Sequence, residues 1–296
     1  MNKSSALKSN LAGRKEYRFP RGMRFSELYE RKEFYEKEFS ADSFENWFRD
    51  YPQDVVKPAS WKKPVFAIDF GTDSGIIKSE FSSFYRKLMY ISKYDDFTEL
   101  KKRCALYLPE DIYYERNIFS DYEKCRTCKQ RWNCTNCDNF LGQELVFDID
   151  PENIECNCKR IGIYSFCEKC LEKAKSETIE LYKKLKKDFG FNSLKIVYSG
   201  RGYHIHVLDR NAFTLTPKER RKITAKLLKS GFHIDEWVSN GHISLARMPG
   251  TLHALVSRIV AEIKIEEIRG FNPEKNSSVI PKFIKKNKKN EIPAQS

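Results

Sequence analysis

Two periodicities divide this chain. From Glu144 to Asp150 (ELVFDID) apolar side chains at 145, 147 and 149 alternate with Asp148 and Asp150, the period-two signature of a strand with one face in a core. The segments 194–198 (LKIVY) and 203–208 (YHIHVL) read as two further strands around the turn Ser199-Gly200-Arg201-Gly202, and 64–70 (PVFAIDF) as another, leading into a turn over 71–75. Helical spacing takes over elsewhere. Leu171, Ala174, Thr178, Leu181, Leu185 and Phe189 share one face of a helix over 171–189, and Gly190 is its natural stop. Thr216 with Pro217 and Glu219 forms a capping box, predicting a helix to Ser230 that stops at Gly231. Ser26 is expected to cap a helix over 27–38, and a short helix over 41–49 to end before Pro52. Short strands near Ile234-Asp235 and over 242–247, then a helix beginning near 252, complete the expected elements. Strands and helices mix without strict alternation, so the fold class is α+β and not a doubly wound sheet.

The domain organisation expected is a basic flexible lead over 1–20, one main domain over 21–270 and a basic flexible tail over 271–296. Two cysteine-rich excursions, 119–142 and 155–171, interrupt that domain. Charge changes the picture further: 54 Lys and Arg against 41 Asp and Glu leave a net charge of +13, which favours an acidic partner, nucleic acid above all. No apolar run is long enough to span a bilayer, and the first residues lack the apolar core of a secretory signal, so an intracellular protein with no membrane contact is expected.

Nine cysteines are present, and eight fall between 125 and 170. Cys125, Cys128, Cys134 and Cys137 form one group; Cys156, Cys158, Cys167 and Cys170 form a second. In a reducing compartment disulfides are disfavoured. The short Cys-x2-Cys steps suit thiolate coordination, so one or two structural Zn²⁺ ions are expected, with iron–sulfur or redox chemistry as alternatives. Cys104 stands outside both groups and reads as a plain buried side chain.

Asp148 and Asp150 project from the same strand face, roughly 6–7 Å apart at Cα. Two such carboxylates repel unless a cation sits between them, and Mg²⁺ or Mn²⁺ is the natural occupant; an acidic solvent face is the plainer alternative. The Ser199–Gly202 turn can bring backbone N–H groups, a hydroxyl and a guanidinium to an anion, and His204 and His206 share one face of the following strand. Asp235, Arg247 and His253 form a third group in which the aspartate could complete a metal site or simply cap a turn.

With those residues in view, a family is recognisable. The stretches ELVFDID at 144–150, VYSGRGYHIHV at 197–207 and the run from Asp235 to His253 together resemble the catalytic small subunit of archaeal and eukaryotic DNA primases, of the archaeo-eukaryotic primase superfamily. The resemblance covers about 110–260 well and 20–110 loosely. It implies a primase-type core of mixed and antiparallel sheets flanked by helices. It also implies two catalytic Mg²⁺ or Mn²⁺ ions on Asp148, Asp150 and Asp235, a triphosphate cradle of Ser199, Arg201, His204, Arg247 and His253, and zinc on Cys156, Cys158, Cys167 and Cys170.

The activity so implied is synthesis of RNA primers on a single-stranded DNA template from NTPs, with dNTPs as further substrates, by a chain working with a large primase subunit in the cytoplasm or nucleus. The alternatives are a primase-polymerase or repair polymerase of the same superfamily, a metal-dependent nuclease, and a nonenzymatic zinc-containing nucleic-acid binder. Three departures stand out. The turn is one residue shorter than the family's S-G-x-R-G-x-H pattern. The N-terminal Arg-Glu-Phe element is not clean: Lys62 and Lys63 stand in its neighbourhood, and Pro64 stands where an acid is expected. The group from Cys125 to Cys137 lies outside the common pattern; a second zinc knuckle touching template or stiffening the catalytic strand is expected there.

Overall fold

The computed structural model describes residues 17–52, 64–122, 137–158 and 164–285, together with 55 and 124. Two antiparallel four-stranded sheets organise them. The first has the order β2-β1-β3-β9, built from β1 (Phe66–Asp69), β2 (Met89–Ile91), β3 (Asp111–Glu115) and β9 (Leu245–Arg247). The second has the order β12-β7-β8-β6, from β6 (Leu145–Ile149), β7 (Leu194–Tyr198), β8 (Tyr203–Val207) and β12 (Ala261–Ile263). Two short pairs join them, β4 (Asn117–Phe119) with β5 (Phe140–Gln143) and β10 (Leu252–His253) with β11 (Arg258–Ile259). The expected α+β class with antiparallel sheets is what the chain adopts.

Each sheet has its own core. Helices α1 (Leu28–Lys37), α2 (Asp42–Arg49) and α3 (Phe97–Tyr107) pack with the first sheet through Phe34, Phe44, Trp47, Phe66, Leu100 and Ile112. Against the second sheet lies α4 (Glu168–Phe189), whose Leu171, Ala174, Leu181 and Leu185 meet Phe147, Ile149, Ile196 and Ile205. Period two decides which side chains enter that core. Leu145, Phe147 and Ile149 of β6 and Tyr203, Ile205 and Val207 of β8 point into it, so Asp148, His204 and His206 are left for the opposite face. There β7 and the residue after β8 contribute Val197 and Leu208 to the first core. The polar side chains are therefore enclosed between two apolar masses.

Several expectations are corrected. The region after 252 is not helical: β10, β11 and β12 occupy it, because β12 is needed to pair with β7 at the sheet edge. Ile234-Asp235 is not a strand; Asp235 caps the short helix α7 (Glu236–Ser239), which follows α5 (Arg210–Phe213) and α6 (Pro217–Lys229). Ser26 does not cap α1. Glu27 does, in a capping box with Glu30, while the Ser26 hydroxyl shares a buried hydrogen bond with Ser257 at 2.7 Å. Residues 271–285 are no loose tail, since Phe271, Val279, Ile280, Phe283 and Ile284 are all buried. Positive charge read from composition hid four apolar anchors between the lysines. The N-terminal lead up to residue 16, Lys62, Lys63 and Cys125 through Cys134 lie outside the described residues. Cys104 is buried, as expected. Among the described residues no helix is long and apolar enough to cross a membrane.

Candidate active site

Asp148 is the fourth residue of β6 and stands opposite His204 in the register with β8. Asp150 follows the strand's end, and both carboxylates are largely shielded from solvent. Asp235 arrives from a distant part of the chain: its backbone N–H donates to the carbonyl of Asp148 at 2.9 Å. Its Oδ1 caps α7, accepting from the N–H of Trp237 at 2.7 Å and of Val238 at 3.2 Å. The cap and the approach to Asp148 are therefore one arrangement. Burial, then the charges of Asp150 and Asp235, push the Asp148 pKa well above the ordinary carboxylate range, against the pull of Arg201 and Arg247. The Oδ1 atoms of Asp148 and Asp150 are buried without a hydrogen-bond partner.

The turn between β7 and β8 closes on these acids. Ser199 N–H donates to the Gly202 carbonyl at 3.0 Å, and Gly202 N–H donates to the Ser199 hydroxyl at 3.1 Å. Both glycines are required by contact. A Cβ on Gly202 would lie 2.5 Å from Asp150 Oδ1 and 2.8 Å from the Ile149 carbonyl oxygen. Gly200 has φ +101°, and a Cβ there would lie 2.7 Å from the His253 ring. Arg201 reaches back to donate to Asp150 Oδ2 at 2.7 Å and to Glu152 Oε1, with its guanidinium over the Tyr164 ring at 4.8 Å. His204 Nε2 stands 3.5 Å from Asp148 Oδ1 without hydrogen-bond geometry. Burial, reinforced by His206 and nearby guanidiniums, holds the His204 pKa well below its ordinary value, so this imidazole is neutral.

Arg247 and His253 approach from the first sheet and from β10. Both end on Asp111 Oδ1, Arg247 through Nε at 3.0 Å and His253 through Nδ1 at 2.7 Å. The five cradle candidates of the sequence reading are thereby brought to one region: Arg247 is felt by Asp148, His204 and His253, and Gly200 abuts His253.

Asp111, Glu152, Tyr164 and Arg116 were not read from the sequence. Arg116 is fully buried and donates to the carbonyls of Glu144 at 3.1 Å, Val238 at 3.0 Å and Ile243, tying β6 to the segment that carries Asp235. None of the four sits in a spaced motif. The one signal available was a charged residue within an apolar strand, as in Asp111-Ile112-Tyr113-Tyr114. His206, on the same face as His204, is engaged with Glu144 at 2.8 Å and Tyr114 at 3.2 Å, as part of the packing between the sheets.

The chemistry of the donors fits two kinds of metal. Carboxylate oxygens of Asp148 and Asp150 with no other partner suit a hard divalent cation. Separately, one ligand atom from each of Cys156, Cys158, Cys167 and Cys170 falls within 4.8 Å of the others. Neighbouring sulfurs lie 3.3, 3.4 and 3.7 Å apart, close enough for one tetrahedral Zn²⁺ to reach all four. Two of these thiols belong to the first turn of α4 and its N-cap and two to the loop after β6, so a metal there would staple the exit of β6 to its covering helix. Of the first cysteine group, Cys137 is described and exposed.

Residues 147–231, which hold the two strand acids and the turn, match the model of the family described as DNA primase small subunit. A DNA primase small subunit-like protein of Archaeoglobus fulgidus is 40% identical over 281 residues, which is 90% of this chain and 94% of that protein. The DNA primase small subunit PriS of Pyrococcus horikoshii is 31% identical over 66% of this chain and 46% of its own length. That of Pyrobaculum calidifontis is 29% identical over 64% of this chain and 53% of its own. The chain therefore aligns with about half the length of these PriS relatives. Among solved structures, the polymerase domain of Mycobacterium tuberculosis ligase D in complex with DNA matches 85% of the chain with a TM-score of 0.41 at 11% identity. On the strength of the near full-length relative, the chain belongs to the DNA primase small-subunit family.

Proposed function

We propose that this chain is a nucleotidyltransferase that joins nucleotides on a single-stranded DNA template, making RNA primers. The observation that carries the reading is the approach of Asp235 to Asp148, with Asp150 beside them, opposite a turn whose Arg201 is anchored to Asp150. Membership of the primase small-subunit family supports it.

Asp148, Asp150 and Asp235 would hold two Mg²⁺ or Mn²⁺ ions. When bound, such ions lower the pKa of an attacking 3′-hydroxyl and stabilise charge on the phosphoryl group being transferred. The chain's own groups bind and orient. Ser199, Arg201, Arg247 and His253 would take the β- and γ-phosphates, charged donors to phosphate being worth about 1.5–3 kcal/mol each. Arg201 and Arg247 suit the task because a guanidinium presents a rigid fork. Neutral His204 can donate or accept beside Asp148 without adding charge. Enclosure between the two cores keeps water from competing for these donors. No covalent intermediate is called for, since the hydroxyl is already the nucleophile. Zn²⁺ on Cys156, Cys158, Cys167 and Cys170 would have a structural role. The excess positive charge would guide template through a salt-dependent phosphate attraction, and a large primase subunit would be the partner governing initiation.

The test is a templated assay with labelled ribonucleotides and deoxynucleotides, with Mg²⁺ or Mn²⁺, with and without an annealed primer. Products without a primer support primer synthesis. Extension restricted to deoxynucleotides on an annealed primer moves the assignment to a repair-type polymerase. Degradation of the template with no incorporation would remove the transferase reading.

A further inference from the structure

Arg247 and His253 share a single buried carboxylate, and that arrangement fixes which nitrogen of the histidine is available. Asp111 opens β3, opposite Asp69 of β1. Its Oδ1 accepts from Arg247 Nε at 3.0 Å and His253 Nδ1 at 2.7 Å, and its Oδ2 from the Tyr113 hydroxyl at 3.3 Å. Burial alone would raise its pKa, but Arg247 and His253 outweigh burial and bring it down to about 2. An ionised carboxylate can only accept, so the proton of His253 must sit on Nδ1.

Nε2 is then a bare lone pair, buried and without a hydrogen-bond partner. The ring cannot turn to bury it differently, because Gly200 closes on its Cδ2 edge and Asp111 holds the other. The charged groups facing the ring are Asp111 from β3, Arg247 from β9 and Arg201 from the turn. Burial and the two guanidiniums push the His253 pKa down to about 4, against Asp111. A lone pair would repel phosphate oxygens, whereas a protonated Nε2 would be a charged donor to them.

We propose that Asp111 is a positioning residue for nucleotide binding: it presents His253 so that one proton, taken from solvent as the triphosphate enters, goes to Nε2 and is shared with a phosphate oxygen. The proposal rests on the nucleotide reading above. It predicts proton uptake on binding, so nucleotide affinity falls as pH rises through the histidine's pKa in the complex. Asp111→Asn retains an oxygen acceptor but loses the charge that supports the imidazolium. It should weaken binding roughly ten- to a hundredfold at pH 6, the size of a lost charge-assisted bond.

The experiment is calorimetric titration of the full chain with magnesium–ATP in two buffers of different ionisation enthalpy, which counts protons taken up, together with ¹⁵N NMR of the histidine rings. Wild type should take up close to one proton, with His253 carrying its neutral proton on Nδ1; Asp111→Asn should take up almost none. Should Asp111→Asn not fold, His253→Gln serves instead, since an amide donates without protonation, and it should bind with no proton uptake. Equal uptake in wild type and either variant, or a wild-type Nε2–H tautomer, overturns the proposal even if templated incorporation is robust. Proton-coupled binding without incorporation removes the transferase reading and leaves the role of Asp111 standing. Wild type that does not bind magnesium–ATP overturns both.

Discussion

The backbone N–H of Asp235 donates to the carbonyl oxygen of Asp148 at 2.9 Å. That bond places the third acid beside β6 by main-chain geometry, so its position does not depend on attraction to a cation. Arg116 reinforces it from behind by holding carbonyls on both segments. The fold itself therefore holds these like charges close.

Holding them close has a cost in the metal-free protein. Burial and the charges of Asp150 and Asp235 act against ionised Asp148. Asp148→Asn removes the repulsion with nearly the same shape, so in EDTA it should raise the unfolding free energy by about 1 kcal/mol. The same variant should lower nucleotide incorporation on the order of a hundredfold or more. Urea denaturation and a primer-extension assay check the two halves; a folded variant with unchanged incorporation would remove Asp148 from the metal site.

Gly202→Ala places a methyl group 2.5 Å from Asp150 Oδ1 and 2.8 Å from a backbone oxygen, neither of which can retreat cheaply. Loss of about 1–3 kcal/mol of stability and of most activity is expected. Gly270→Ala is the control, because nothing lies within 4 Å of a Cβ there. Equal melting temperatures for the two variants would count against the tight turn.

Cys167→Ser should release about one zinc per chain and destabilise the exit of β6, since three remaining thiols cannot complete the tetrahedral set. Metal analysis of wild type and variant, with melting curves, measures both. Undiminished zinc content in the variant would assign the metal elsewhere, the group from Cys125 to Cys137 being the alternative.

Acid stability carries a signature of the buried pair at Asp111. His253 has its pKa lowered to about 4, so between pH 6.5 and 4 the unfolded chain binds more protons and stability falls with falling pH. Asp111, held at about 2, adds a further loss once pH drops below its unfolded value near 4. The histidine part amounts to about 3 kcal/mol across its window. Chemical denaturation of wild type and His253→Gln at pH 4 to 7 should show the difference; parallel pH profiles would mean that His253 is not buried neutral.

Much of the site was legible because strand geometry is short-range. Alternation in ELVFDID and YHIHVL is enough to put Asp148 and His204 on the face away from the core, and two glycines around Arg201 are enough to mark a tight anion-ready turn. The Cys-x-Cys and Cys-x2-Cys spacings likewise converge their thiols locally. Reading failed where long-range pairing overrode local pattern. The segment after 252 has helical composition, but β7 needs an edge partner and takes 261–263. The lysines beyond 271 dominated the composition there, while Phe283 and Ile284 were claimed by the first core.

Sequence by itself thus determined the strand acids, the turn and the thiol set, since each is written within a few residues and obeys a fixed backbone period. Only the tertiary structure decided that Asp235 stands at Asp148, that Asp111 holds Arg247 and His253, and that Arg116 clamps the two segments. Those contacts join residues far apart along the chain, and their partners are chosen by how the elements pack together, which no local period encodes.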